Sequence, residues 1–139
     1  MHQSIINFTN IQNSIKENQE KTNNKNNIKI IAVSKTFEIS HINPLIDYGH
    51  TDFGENKVQE AIEKWSDIKL KNQNLSLHLV GKLQSNKTKL ALKIFDYIHS
   101  LDSEKLANKI SMEQKNIQKS PKLFIQVNIG NEDQKSGID

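Results

Sequence analysis

The chain has 139 residues, of which 35% are hydrophobic, and this length suits one domain with its own core. The formal net charge is +3, but every basic residue is lysine, so the guanidinium groups that favour base and phosphate recognition are absent and nucleic-acid binding is not expected. Cysteine is absent too, which excludes disulfides and thiolate metal sites. Without a signal-peptide pattern or a membrane-length apolar run, the expected location is the cytoplasm, with no membrane contact.

The first predicted element is an amphipathic helix from Ser4 to about Glu20, because its isoleucines and Phe8 recur at helical spacing. A polar, asparagine-rich loop follows over Lys21–Asn27. The β-branched run Ile28–Val33 then predicts a buried parallel strand.

The rest of the chain alternates between helices and strands. Four further strands are predicted, at Thr51–Phe53, Leu75–Val80, Tyr97–Ser100 and Leu123–Asn128. Four helices are predicted between them. The first is capped by Ser40 and stopped by Gly49, and the second is capped by Asn56. The third extends from about Asn86 to Phe95, and the fourth from Ser103 to about Lys115. Such alternation predicts a parallel α/β sheet in a single domain over residues 1–139.

The polar residues that follow successive strands favour a (β/α)₈ barrel over an open sheet. Lys35, Asn56, the segment Gly81–Gln84 and Asn128 all come just after a strand, at the edge where barrel active sites assemble. The first βα turn also lacks the glycine-rich phosphate loop of a dinucleotide fold. Five strands cannot close such a barrel, so the prediction is a partial one.

Lys35 is the first candidate for chemistry. It ends an apolar strand, where a lowered pKa would leave uncharged amine to attack an aldehyde. By position alone, a solvated lysine at a strand end is the more common explanation.

The other candidates also have ordinary structural explanations. Asn56 can orient a bound ring or simply cap a helix, and Gly81–Gln84 suits a ligand loop although Ser85 and Asn86 read as caps. His78 lies on the strand face opposite its leucines and is interpreted as a hydrogen-bonded core residue. No partner residue has metal-ligand spacing to it, so no metal site is predicted.

Four ordered segments together identify a resemblance. They are Ala32–Thr36, Asp52–Glu60, His78–Lys87 and Gln126–Ile138, and they cover nearly the whole chain. In this order and spacing they closely resemble the pyridoxal phosphate homeostasis protein family, single-domain relatives of the alanine racemase N-terminal barrel.

The resemblance implies a (β/α)₈ barrel of alanine racemase N-terminal type, with pyridoxal 5′-phosphate held as a Schiff base on Lys35. It implies further cofactor contacts at Asn56, Gly81 and Gln84, and no catalytic residue. Members are thought to buffer or deliver the reactive aldehyde, so amino acids or apo forms of cofactor-dependent enzymes are the implied partners. A carrier rather than an enzyme is expected, since no second domain supplies a proton-carrying tyrosine.

The alternatives are a racemase-like enzyme and a non-functional truncated fragment. Family members continue through three further βα units, which include the loop that holds the cofactor phosphate. The chain is therefore expected to be a partial barrel that binds cofactor weakly or folds poorly by itself. A complementing C-terminal half would be one further partner.

Overall fold

The computed structural model describes all 139 residues, and they form two compact units. The first unit comprises residues 1–30 and 36–51 and holds two helices, α1 (Gln3–Thr22) and α2 (Ile39–Tyr48). Phe8 is its buried aromatic centre, with ring centroids 6.1 Å from Tyr48 and 4.5 Å from His50. The predicted amphipathic N-terminal helix is thus confirmed.

Helix α2 begins earlier than predicted. Its N-cap is Glu38 rather than Ser40, which lies inside the first turn, and no side chain caps the helix. The prediction for the other end is confirmed, because Gly49 has a φ of +102° and stops the helix in the left-handed conformation that glycine adopts without strain.

The second unit comprises residues 31–35 and 52–139 and contains a five-stranded parallel sheet with strand order β1-β2-β3-β4-β5. The strands are β1 (Ala32–Val33), β2 (Asp52–Glu55), β3 (Ser76–Leu79), β4 (Tyr97–Leu101) and β5 (Lys122–Ile125). Three helices belong to the same unit: α3 (Val58–Lys71), α4 (Thr88–Ile94), which a 3₁₀ turn at Ser85–Lys87 precedes, and α5 (Glu104–Ile117). This order confirms the predicted α/β fold class.

The first strand differs from its prediction. Only Ala32 and Val33 pair with β2, and Val33 is 48% exposed, so the expectation of a buried strand over Ile28–Val33 is wrong. The reason is position, since β1 has a single neighbour at the edge of the sheet.

The core lies between the sheet and the helices on one of its faces. Phe53 of β2 packs on Trp65 of α3 at a centroid distance of 4.9 Å, and both side chains are almost fully buried. Leu77 and Leu79 of β3 are buried as their alternation predicted. Ser103, where the helix was predicted to begin, caps α5 by accepting a hydrogen bond from the Leu106 amide at 3.1 Å. None of the helices combines the length and apolarity that a membrane crossing requires.

Candidate functional site

Lys35 lies just beyond the end of β1 and is exposed. The Ser34 amide extends the ladder by donating to the Gly54 carbonyl at 2.8 Å, and Lys35 follows immediately. Thr36 then takes a φ of +66°, a conformation that a β-branched residue rarely adopts. The chain therefore leaves the sheet abruptly at Lys35, and such strained backbone is often found at functional sites.

A buried carboxylate fixes the peptide that precedes Lys35. Glu55 Oε1 accepts hydrogen bonds from Ser34 Oγ at 2.8 Å, from the Lys64 ammonium at 2.8 Å and from Trp65 Nε1 at 2.9 Å. The Lys64 ammonium also donates to the Ser34 carbonyl at 2.9 Å. Because Glu55 is fully buried, this paired network holds the end of β1 against β2 and α3.

Strand register brings Lys35 and Asn56 to the same level of the sheet. Val33 pairs with Gly54, and Lys35 and Asn56 lie two residues beyond each of them. The paired residues Val33 and Gly54 lie on the face of the sheet opposite Phe53, and Lys35 and Asn56 continue from that face past the strand ends. The sequence-based expectation that these two residues gather at the carboxyl edge agrees with this placement.

Asn56 does not cap helix α3, contrary to its structural interpretation. Lys57 occupies the N-cap position and no side chain makes a capping hydrogen bond, because the helix begins one residue later than predicted. The Asn56 backbone instead lies against Gly81. A Cβ atom at Gly81 would lie 3.0 Å from Asn56 C and closer still to its oxygen, so only glycine fits here.

Asn56 and Gln84 line a common cleft of about 340 Å³, together with Lys57, Val58, Gln59, Lys82 and Lys87. Asn56, Gly81 and Gln84 thus meet, since Gly81 packs against the cleft-lining Asn56. Lys35 is not among the lining residues. Three ammonium groups beside three amides make the cleft suited to an anion that also carries neutral polar groups.

Asn128, the remaining residue predicted at a strand end, holds the C-terminal turn. Its side-chain amide donates to the Glu132 carbonyl at 2.8 Å, and its Oδ1 accepts from the Glu132 amide at 3.2 Å. Strand β5 ends at Ile125, three residues before the predicted end.

The sequence interpretation missed the hydrogen-bonded partners of His78. His78 is almost fully buried, with Nε2 2.9 Å from Asp52 Oδ1 and Nδ1 2.9 Å from His99 Nε2. Its ring stacks on Tyr97 at a centroid distance of 4.1 Å. The alternation of side chains along β4 could have indicated these partners. Tyr97 and His99 lie on one face of β4, and the strand register places that face beside His78.

Burial shapes the electrostatics of this cluster. Desolvation, and secondarily the neighbouring His78, lower the pKa of His99 below its usual value, so His99 is neutral at pH 7. The described residues therefore provide an exposed primary amine at Lys35, a cleft lined by amides and ammonium groups, and a hydrogen-bonded His78–His99 pair whose second member is neutral.

Comparison with known proteins gives pyridoxal phosphate homeostasis proteins among the relatives, although no family model matches the chain. The pyridoxal phosphate homeostasis protein of Haemophilus influenzae is 44% identical over 121 residues, which are 86% of this chain and 51% of that protein. Among solved structures, PipY of Synechococcus elongatus without PLP superposes with a TM-score of 0.77 at 38% identity, covering 88% of this chain and 58% of PipY. PipY with PLP bound gives 0.73 at 37% identity and covers 88% and 57%.

The chain spans about half the length of the curated relatives that it matches. The α/β fold of this chain, with five parallel strands, covers 58% of PipY, which agrees with the predicted partial barrel. The resemblance identified from the four sequence segments is confirmed: this chain is similar to the pyridoxal phosphate homeostasis proteins over most of its own length.

Proposed function

We propose that this chain is a pyridoxal 5′-phosphate-binding protein of cofactor homeostasis, with Lys35 as the residue that bonds to the cofactor. The observation that carries the proposal is the shared register of Lys35 and Asn56 at the strand ends, beside a cleft that also contains Gln84. The relatives named for pyridoxal phosphate and the PLP-bound PipY support the same ligand.

The residues present fit the chemical groups of this cofactor. Gly81 approaches the Asn56 backbone too closely for any side chain, and the volume of the cleft that Asn56 lines is within the range of small-molecule sites. Asn56 and Gln84 would hold polar ring substituents, and the lysines around them would attract the anionic phosphate. When bound, the cofactor supplies an electrophilic aldehyde carbon that condenses with a lysine amine to a Schiff base.

The protein's own residues prepare Lys35 for this role. Glu55, Lys64 and Trp65 fix the preceding peptide, so the start of the Lys35 side chain has a defined position. The strained turn at Thr36 directs the following chain away from the strand axis. Together they leave the amine of Lys35 accessible at the strand end.

The proposed role is that of a carrier in one cytoplasmic domain, residues 1–139, with amino acids or apo enzymes as recipients of the cofactor. A complementing polypeptide is a further proposed partner, because all four residues of β5 are exposed. A racemase-like enzyme is the second candidate, and the histidine chain on the face of Lys35 favours it.

The test is site-specific labelling. The chain is incubated with pyridoxal phosphate, the visible absorption band is recorded, the adduct is reduced with borohydride, and the modified lysine is located by mass spectrometry. We expect the reduced label to be enriched at Lys35 and the absorption band to be lost in Lys35→Arg. The control Lys105→Arg, on an exposed face of α5, should keep both the band and the label at Lys35. Labelling spread evenly over the surface lysines would refute the proposal.

A further inference from the structure

The histidine chain of the second unit defines its own proton positions. A carboxylate only accepts hydrogen bonds, so Asp52 Oδ1 requires a proton on His78 Nε2. When His78 holds a single proton, that proton is on Nε2, so its Nδ1 accepts and the proton in the second bond belongs to His99 Nε2. Neutral His99 therefore carries a bare Nδ1, to which no protein group donates a hydrogen bond.

Ring packing holds both imidazoles in place. His78 is nearly parallel to Tyr97, with 9° between the planes, and His99 stacks on Phe124 at 4.6 Å with 19° between the planes. His99 is half-buried whereas His78 is fully enclosed, so His99 is the member of the chain that a ligand can reach.

The register places His99 at the level of the Lys35 site. Gly54 pairs with His78, and His78 pairs with Tyr97. Asn56 lies two residues beyond Gly54, and His99 lies two residues beyond Tyr97. These two residues are therefore at the same level of the sheet and on the same face. Lys35 lies at this level too, as the register of β1 shows.

We propose that His99 Nδ1 is the proton acceptor for the ammonium group of an amino acid that enters the Lys35 site, with Asp52 and His78 as positioning residues. This inference rests on the proposed function, because an amino acid must lose an ammonium proton before its nitrogen can attack an aldehyde. The ammonium N–H bond breaks with its electron pair left on the amine nitrogen, and a new N–H bond forms at His99 Nδ1. Positive charge moves from the amino acid to His99.

The hydrogen bonds of the cluster stay intact when His99 takes up that proton. Asp52 stabilises a charged His99 through the intervening His78, since the His99 Nε2–H bond to His78 is kept when Nδ1 is protonated. Two further polar side chains lie near the histidines. Tyr97 lies beside His99, and the Lys122 ammonium lies 5.5 Å from the centre of the Tyr97 ring. The carboxylate of Asp52 on β2 and the ammonium of Lys122 on β5 thus lie on the strands that flank the two histidines.

The first part of the test measures which histidine nitrogens carry protons in the full 139-residue protein without ligand. Nitrogen-15 NMR of the histidine rings should show protonated Nε2 and bare Nδ1 on His99, with the signals assigned by His99→Gln. Asp52→Asn should shift proton density on His99 towards Nδ1, because an asparagine amide can donate to His78 Nε2 and reverse the chain. Asp67→Asn, on an exposed part of α3, should leave the rings unchanged.

The second arm follows the pyridoxal phosphate-loaded chain on addition of L-alanine. The rate at which alanine displaces the Lys35 bond should fall about a hundredfold in His99→Gln, the lower end of what a positioned base contributes. The extent of borohydride labelling at Lys35 should stay unchanged, which separates this role from cofactor binding. A wild-type His99 protonated at Nδ1, or an unchanged displacement rate in a variant that labels normally, would overturn the inference. Absence of labelling at Lys35 in the wild type would overturn both proposals.

Discussion

The two strands β3 and β5 have similar apolar residues but very different environments. In β3, Leu77 and Leu79 are 1% and 0% exposed, whereas Phe124 and Ile125 of β5 are 52% and 64% exposed. The difference is the number of neighbours, because β3 lies between two strands and β5 pairs only with β4. Burial here follows position in the sheet, so the two strands should respond differently to the same kind of substitution.

The largest contrast is expected for aromatic truncation. Trp65→Ala, in the core beside Phe53, should lower the free energy of unfolding by about 3–5 kcal/mol, because it leaves a cavity and removes a hydrogen bond to Glu55. Phe124→Ala on β5 should cost less than about 1 kcal/mol, since its ring is already half in water. Urea denaturation of both variants measures the two changes in the free energy of unfolding. Equal changes would contradict the expected difference between the core and β5.

A second contrast concerns carboxylates. Glu55→Gln should cost about 1–3 kcal/mol, because the buried Lys64 ammonium and the Trp65 indole lose a charged acceptor. Glu132→Gln removes an ion pair with Lys135 at 3.0 Å that is 40–63% exposed, and it should cost less than about 0.5 kcal/mol. The same denaturation measurement applies, and a costly change at Glu132 would show that the end of the chain is as tightly organised as the centre.

The histidine that joins β3 to β5 should make stability depend on pH. The pKa of His99 in the folded chain lies below its ordinary value of 6.5, so the unfolded chain binds the proton more readily. The free energy of unfolding should therefore fall as pH decreases through 6.5 towards the lower folded value. His99→Gln should flatten this part of the profile, measured by urea denaturation between pH 5 and 8 (a range set by the usual titration of histidine). A slope that is unchanged in the variant would contradict the assignment.

The smallest effect is expected at the opposite edge of the sheet. Thr36→Asn should raise the free energy of unfolding by up to about 1 kcal/mol, because asparagine tolerates the φ of +66° better than a β-branched residue does. Thr36→Val keeps the branched Cβ and should show no gain. Thermal unfolding of the two variants side by side gives the measurement, and equal melting temperatures would argue against strain at this turn.

Much of the fold could be predicted from local patterns. Helical spacing identified α1, Gly49 marked the end of α2, and alternating leucines identified the buried face of β3. The burial of Ile28–Val33 was predicted wrongly, because a β-branched run does not reveal how many neighbours its strand will have. Helix starts at Ser40 and Asn56 were also misplaced, since both residue types cap helices in many settings and neither does here.

The candidate site was only partly predictable for a related reason. Lys35, Asn56, Gly81 and Gln84 follow strands, so their common edge could be expected, and their roles toward a ligand stay proposals. The Asp52–His78–His99 chain joins residues 21 and 26 positions apart, and a shift of one residue in register would separate them. Glu55 similarly gathers partners from β1 and α3 that no short motif connects.

The open side of β5 has a consequence for the protein in concentrated solution. Strand β5 has unpaired backbone donors and acceptors along its outer side, and apolar side chains accompany them. An unprotected row of this kind can recruit an extended segment from any neighbouring molecule, and the addition can repeat. Solubility would then be limited by strand addition at one edge rather than by the net charge of +3, and a single lysine placed at Phe124 would be the economical way to raise it.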